Sequence, residues 1–152
     1  MKNNRVLIIG SGHLAYRLKM LVRNNGYEIT HIPSGAFSNK NQEGSRFDTI
    51  SQALKDIDFS SLSMVYVVDD NDELNLELIV ALLSLKMDLP ITASFYNENI
   101  APHLRAVHPN IKILNPAKMA APTFIESLYV PIKRSLRYTP SKLSYESTRN
   151  RF

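Results

Sequence analysis

The segment Arg5-Val6-Leu7-Ile8-Ile9-Gly10-Ser11-Gly12-His13-Leu14-Ala15 sets how the rest of the chain is read. Four consecutive branched or apolar residues bounded by glycine form the pattern of a strand buried on both faces. From His13, apolar residues recur at Leu14, Leu18, Leu21 and Val22, which is helical spacing. Between strand and helix stands G-x-G-x-x-A. In that position Gly10 permits a tight turn, Gly12 lets a pyrophosphate approach the backbone, and Ala15 lets the helix pack closely on the sheet. The amides and the positive end of the helix attract phosphate. The bland alternative is a tight turn that binds nothing. The strand–turn–helix context favours binding.

Working outward, Asn25-Gly26 closes the first helix, and Tyr27 to Ile32 reads as a second strand ended by Pro33. Ser34 to Arg46 is polar without periodicity and reads as a loop, and Ser51 to Asp56 as a short helix. Met64 to Val68 is a further buried strand. Asp72 to Lys86 is the strongest helix, with an apolar face at Leu76, Ile79, Val80 and Leu83. Ile91 to Phe95 and Ile111 to Leu114 are strands. Asn97 to Val107 is a helix that Pro102 kinks or delays. Pro116 or Pro122 opens a final helix through Phe124, Ile125 and Leu128. Alternating strands and helices with short links predict an α/β fold: a Rossmann-like, doubly wound parallel sheet in three α/β/α layers.

The 152 residues fit one domain, and 44% hydrophobic with 21% charged residues marks a globular chain. There is no cysteine, so disulfides, thiolate zinc sites and cysteine nucleophiles are excluded together. The apolar start before Gly10 is too short for a signal-peptide core, and no apolar run approaches the roughly 20 residues of a membrane span, so a soluble polypeptide is expected. The net charge of +4 divides unevenly. Residues 131–152 hold six basic groups against Glu146, a net +5, whereas residues 1–130 carry 12 basic and 13 acidic groups. A domain over 1–130 with a basic tail or linker at 131–152 follows, and a nucleic-acid-binding face on the balanced body does not.

A second cluster, Asp69-Asp70-Asn71-Asp72-Glu73, follows the strand ending at Val68. That is the C-terminal rim of an open parallel sheet, where ligands lie. Asp69 and Asp70 suit a ribose or a cation; helix capping by Asn71 or Asp72 is the competing account. The four histidines, His13, His31, His103 and His108, assemble no metal pattern, and surface or packing roles are expected of them. Neither a G-x-S-x-G elbow nor a G-x-x-x-x-G-K-[ST] loop is present.

Taken together, Val6-Leu7-Ile8-Ile9-Gly10-Ser11-Gly12 and Val65-Tyr66-Val67-Val68-Asp69-Asp70-Asn71-Asp72-Glu73-Leu74-Asn75-Leu76 resemble the RCK or Trk-type NAD-binding domain that regulates potassium channels and transporters. Pro90-Ile91-Thr92-Ala93, Leu114-Asn115-Pro116-Ala117 and Met119-Ala120-Ala121-Pro122 follow in the order of that family. The resemblance implies a regulatory domain that is not an enzyme. It implies binding of NAD(H) or an adenine nucleotide (ADP or ATP) at Gly10-Ser11-Gly12, with His13 and Leu14 opening the helix. It further implies a homodimer, a membrane channel or transporter subunit as partner, and a cytoplasmic place at the inner face of the membrane. The family ends its second strand with an acidic residue; here Ile32-Pro33-Ser34 stands there, and Asp48 aligns with the family's next strand-end acid. Two other readings stand beside it. One is the cofactor domain of an NAD(P)-dependent oxidoreductase, which needs a substrate domain; the other is a dimerisation module whose pocket binds nothing.

Overall fold

The computed structural model describes residues 4–38, 46–86 and 88–118. Five strands, β1 (Arg5–Ile9), β2 (Glu28–Ile32), β3 (Leu62–Val67), β4 (Ile91–Ser94) and β5 (Lys112–Leu114), form one sheet in the order β2-β1-β3-β4-β5. Every pairing is parallel. Helices α1 (His13–Asn24), α2 (Arg46–Lys55), α3 (Asp72–Ser84) and α4 (Ile100–Val107) supply the crossovers.

Chain order and strand order together dictate the layers. From β1 the chain steps outward to β2, then crosses back past β1 to β3, β4 and β5. Right-handed crossovers therefore send α1 to one face and α2, α3 and α4 to the other. The core divides the same way. Val6, Ile8, Met64, Tyr66 and Val68 pack with Ala15, Leu18 and Val22 of α1. Leu7, Ile9, Val65, Val67 and Ala93 pack with Ile50 and Leu54 of α2 and with Leu78 and Leu82 of α3. Successive residues of β1 and β3 thus feed opposite layers, which is why Val6 to Ile9 and Met64 to Val68 read as unbroken apolar runs. The expected α/β, Rossmann-like doubly wound architecture is the one observed.

Three expectations need correction. First, α2 begins at Arg46, five residues before the expected helix start at Ser51. Ile50 and Leu54, one helical turn apart, are its buried residues, and the Arg46 guanidinium is held by Glu77 and Glu73 of α3. Second, Ser34–Phe37 forms a 3-10 turn that buries Phe37, where a loop was expected. Third, the buried side of α3 is Leu74, Leu78, Ile79, Ala81 and Leu82, whereas Val80 is exposed and Leu76 and Leu83 are half-buried. This helix is apolar around most of its circumference, so two stripes satisfy helical spacing and the sheet selects one. Helix α4 starts at Ile100, the late start that Pro102 was expected to impose; Pro102 falls in its first turn, where a missing N–H costs no helical hydrogen bond. The expected final helix and the basic tail lie outside the described residues, apart from a 3-10 turn at Pro116–Lys118.

Candidate functional site at the carboxyl edge of the sheet

The register brings three strand ends together. Ile9 of β1 lies beside Ile32 of β2 and Val67 of β3. The residues that follow each strand, Gly10, Pro33 and Val68-Asp69, therefore share one edge. It is also the point where the chain, having stepped to β2, crosses to the other side of β1, the crevice in which open α/β sheets bind ligands.

The glycine loop is shaped by close approach. Gly10 has φ 127° and Gly12 φ 116°, conformations that side chains disfavour. A β-carbon on Gly10 would stand 2.4 Å from the Asp69 amide nitrogen, so β1 and β3 leave the sheet in backbone contact. The Gly10 amide donates to Ile32 O at 2.9 Å. The Gly10 carbonyl meets His31 Nε2 at 2.8 Å, and His31 Nδ1 lies 3.4 Å from Lys19 Nζ. Because a carbonyl only accepts, Nε2 carries the proton, which leaves Nδ1 to accept from Lys19. His31 thus fixes the loop, a role that its place on a strand did not signal.

Ser11 joins all three strand ends. Its amide donates to Asp69 Oδ1 at 2.7 Å, and its hydroxyl oxygen accepts the Ser34 amide at 2.9 Å. Asp69, almost fully buried, also accepts the Asn71 amide at 3.0 Å. Behind it sits Asn75, fully buried among the leucines of α3. Asn75 Oδ1 accepts the Asp69 amide at 3.1 Å, while its Nδ2 donates to Asp69 O at 2.8 Å and Ser94 O at 2.9 Å. One side-chain amide therefore ties the end of β3 to the end of β4. A lone asparagine inside Leu74-Asn75-Leu76 was the available sequence signal, since an unpaired buried amide is costly.

The two helices that open on this edge differ. Helix α3 is capped by Asn71, whose Oδ1 accepts the Leu74 amide at 3.0 Å, with Asp72 and Glu73 in its first turn. Helix α1 opens on Gly12 with no side-chain cap and no acidic residue in its first turn. Its leading amides, from His13 and Leu14 onward, carry the partial positive charge of the helix end. Asp70 instead projects from the β3 side, its carboxylate lying against Gly12. Asp72 accepts the amides of Tyr96 and Asn97 at 2.9 and 2.8 Å, which fastens the turn after β4. Tyr96 is exposed, yet partial desolvation of its phenol, reinforced by the charges of Asp70 and then Asp72, pushes it above its ordinary range.

Of the expected site residues, Gly10, Ser11, Gly12, Ile32, Pro33, Ser34, Asp69 and Asp70 meet at this edge, and His13 and Leu14 open α1 beside it. Asp48 is the exception and is corrected: it lies in the first turn of α2, on a helix and not at a strand end. Ile50 and Leu54, buried one helical turn apart, make 46–55 a helix, so position 48 ends no strand. His31, Asn75 and Tyr96 join the edge unannounced. Among the described residues no group of three or more His, Asp or Glu side chains is placed to hold a metal ion, and no helix is long and apolar enough to cross a membrane. A concavity of about 210 Å³ opens elsewhere, between α4 and β5, lined by Phe95, Arg105, Asn115 and Lys118 among others.

No protein-family model matches the chain, and no curated protein matches it. Among solved structures it is similar to a mutant of ribose 5-phosphate isomerase type B from Trypanosoma cruzi, at 14% identity and TM-score 0.41, covering 90% of each chain. It is likewise similar to the type B ribose 5-phosphate isomerase of Trypanosoma cruzi, at 15% identity and TM-score 0.39, covering 88% of this chain and 89% of that one. The resemblance drawn from the sequence implied that the chain is not an enzyme. Both neighbours are isomerases, and that exclusion is withdrawn. At this identity the likeness concerns the α/β fold alone and assigns this chain no substrate or reaction.

Proposed function

We propose that the chain binds a phosphate-bearing nucleotide, NAD(H) or an adenine nucleotide, over Gly10-Ser11-Gly12, and that it serves as a sensing domain for a cation channel or transporter. The observation that carries the binding half is the uncapped start of α1 on two positive-φ glycines at the crossover point of the sheet. Helix amides with no cap of their own, at a backbone that a ligand can approach closely, suit phosphate. The bonds from Ser11 to Asp69 and to the Ser34 amide support the reading, because they hold the loop in that shape.

The regulatory half rests on the resemblance of residues 6–12 and 65–76 to RCK-type domains. In such a mechanism ligand favours one geometry of a homodimer by its differential affinity for two states. We place the pairing surface on the expected final helix with Phe124, Ile125 and Leu128, which lie outside the described residues.

Calorimetry with NAD, NADH, ADP and ATP tests the binding half. At least one should bind the parent, and Gly12→Val should abolish that binding, since it places a side chain where phosphate must approach. A parent that binds none of the four refutes the reading.

A further inference from the structure

The inference rests on the nucleotide-binding reading and concerns how that site chooses among ligands. Among the described residues two carboxylates face the glycine loop, and they are held differently. Asp69 is buried and accepts two amides, from Ser11 and Asn71, so it is part of the loop's framework. Asp70 is exposed, and its carboxylate lies over Gly12. A β-carbon built on Gly12 would stand 2.1 Å from Asp70 Oδ2 and 2.5 Å from its Cγ. In a G-x-G-x-x-A loop the missing side chain of the second glycine is what gives pyrophosphate access to the backbone. The carboxylate and a ligand phosphate therefore compete for one place. For phosphate to enter, Asp70 must turn aside, and it remains nearby as a like charge.

We propose that Asp70 is the specificity-determining residue of this loop, covering Gly12 and ranking ligands by the charge of the phosphate each brings to α1. A dinucleotide presents two phosphates that each carry one negative charge. ADP presents a terminal phosphate that carries nearly two at neutral pH. One additional negative charge at a distance of about 6 Å from a carboxylate, near a protein surface, corresponds to roughly three- to a hundredfold in affinity. Asp70 thus favours the phosphodiesters of a dinucleotide over a terminal phosphate. Tyr96 supports the placement, because its phenol also feels the Asp70 charge.

The test is competition calorimetry of NADH and ADP on the full chain and on Asp70→Asn, which keeps the shape and removes the charge. The parent should prefer NADH. In the variant both ligands should gain affinity, ADP by roughly three- to a hundredfold more than NADH, so the ratio narrows by that factor, and added salt should narrow the parent's ratio in the same direction. Asp70→Ala should behave like Asp70→Asn, which separates the charge from any new bond made by the amide. If both ligands bind and the ratio is unchanged, the inference fails while the binding reading stands. If both weaken in both variants, Asp70 holds the ligand instead of screening it, and the inference fails again. If neither ligand binds any of the proteins, the inference and the NADH and ADP part of the reading fail together.

Discussion

Replacing Asn75 by Ala removes a side chain that is fully buried and makes three hydrogen bonds, to Asp69 N, Asp69 O and Ser94 O. The methyl group leaves an amide and two carbonyls without their partner, at the junction of β3, β4 and α3. Each buried backbone group stranded in this way costs ~1–3 kcal/mol, less where water enters the small space left behind. A total of roughly 3–5 kcal/mol follows, a large share of the ~5–15 kcal/mol that typically separates native from unfolded protein. At ~2–4 °C per kcal/mol for a chain of this size, the melting temperature should fall by roughly 6–20 °C. Urea denaturation followed by circular dichroism measures the free energy directly. Asn75→Asp, which keeps an acceptor for Asp69 N but loses both donated bonds, should also destabilise. A loss below about 0.5 kcal/mol in Asn75→Ala, the range of an ordinary surface change, would refute the view that this amide holds the strand ends together.

Gly10→Ala should cost at least ~2–3 kcal/mol, because its β-carbon would meet backbone 2.4 Å away at a positive φ. Gly35→Ala, with nothing within 4 Å of the new carbon, should range from neutral to about 1 kcal/mol stabilising; equilibrium denaturation of the pair checks both. Tyr96 should ionise above the ordinary tyrosine value of about 10, because the folded state disfavours its charged form. Its contribution to stability is then complete below pH ~10 and declines as pH rises past that value. The difference in ultraviolet absorbance between the parent and Tyr96→Phe across an alkaline titration reports this ionisation, and Asp70→Asn should bring it to lower pH.

The central strands β1 and β3 were legible because each feeds two apolar layers, so their residues are apolar without interruption over Val6 to Ile9 and Val65 to Val68. The glycine loop was legible because its conformation demands particular residues in particular places. The start of α2 was not, because what holds Arg46 is Glu77, 31 residues away, and local periodicity carries no trace of that pairing. The buried side of α3 was hidden for the opposite reason: its sequence is apolar in too many directions to name one. At the site, Asp69 and Asp70 looked equivalent as neighbours in sequence. Their difference arises from the register of β1 against β3, which turns Asp69 inward to Ser11 and leaves Asp70 exposed over Gly12. His31 and Tyr96 reach the edge only through folding, as they are distant in sequence from the residues they meet.

Amide chemical shifts of the isotopically labelled full chain, followed while NADH and then ADP are added, test the central claim most directly. If the carboxyl edge binds phosphate at the start of α1, the largest changes should fall on Gly10 to Leu14, with smaller ones at Ser34 and at Asp69 to Asn71. They should saturate with the affinity that calorimetry gives. A titration that leaves the glycine loop unmoved while shifting Asn97 to Lys118, around the concavity between α4 and β5, or that shifts nothing at all, would contradict it.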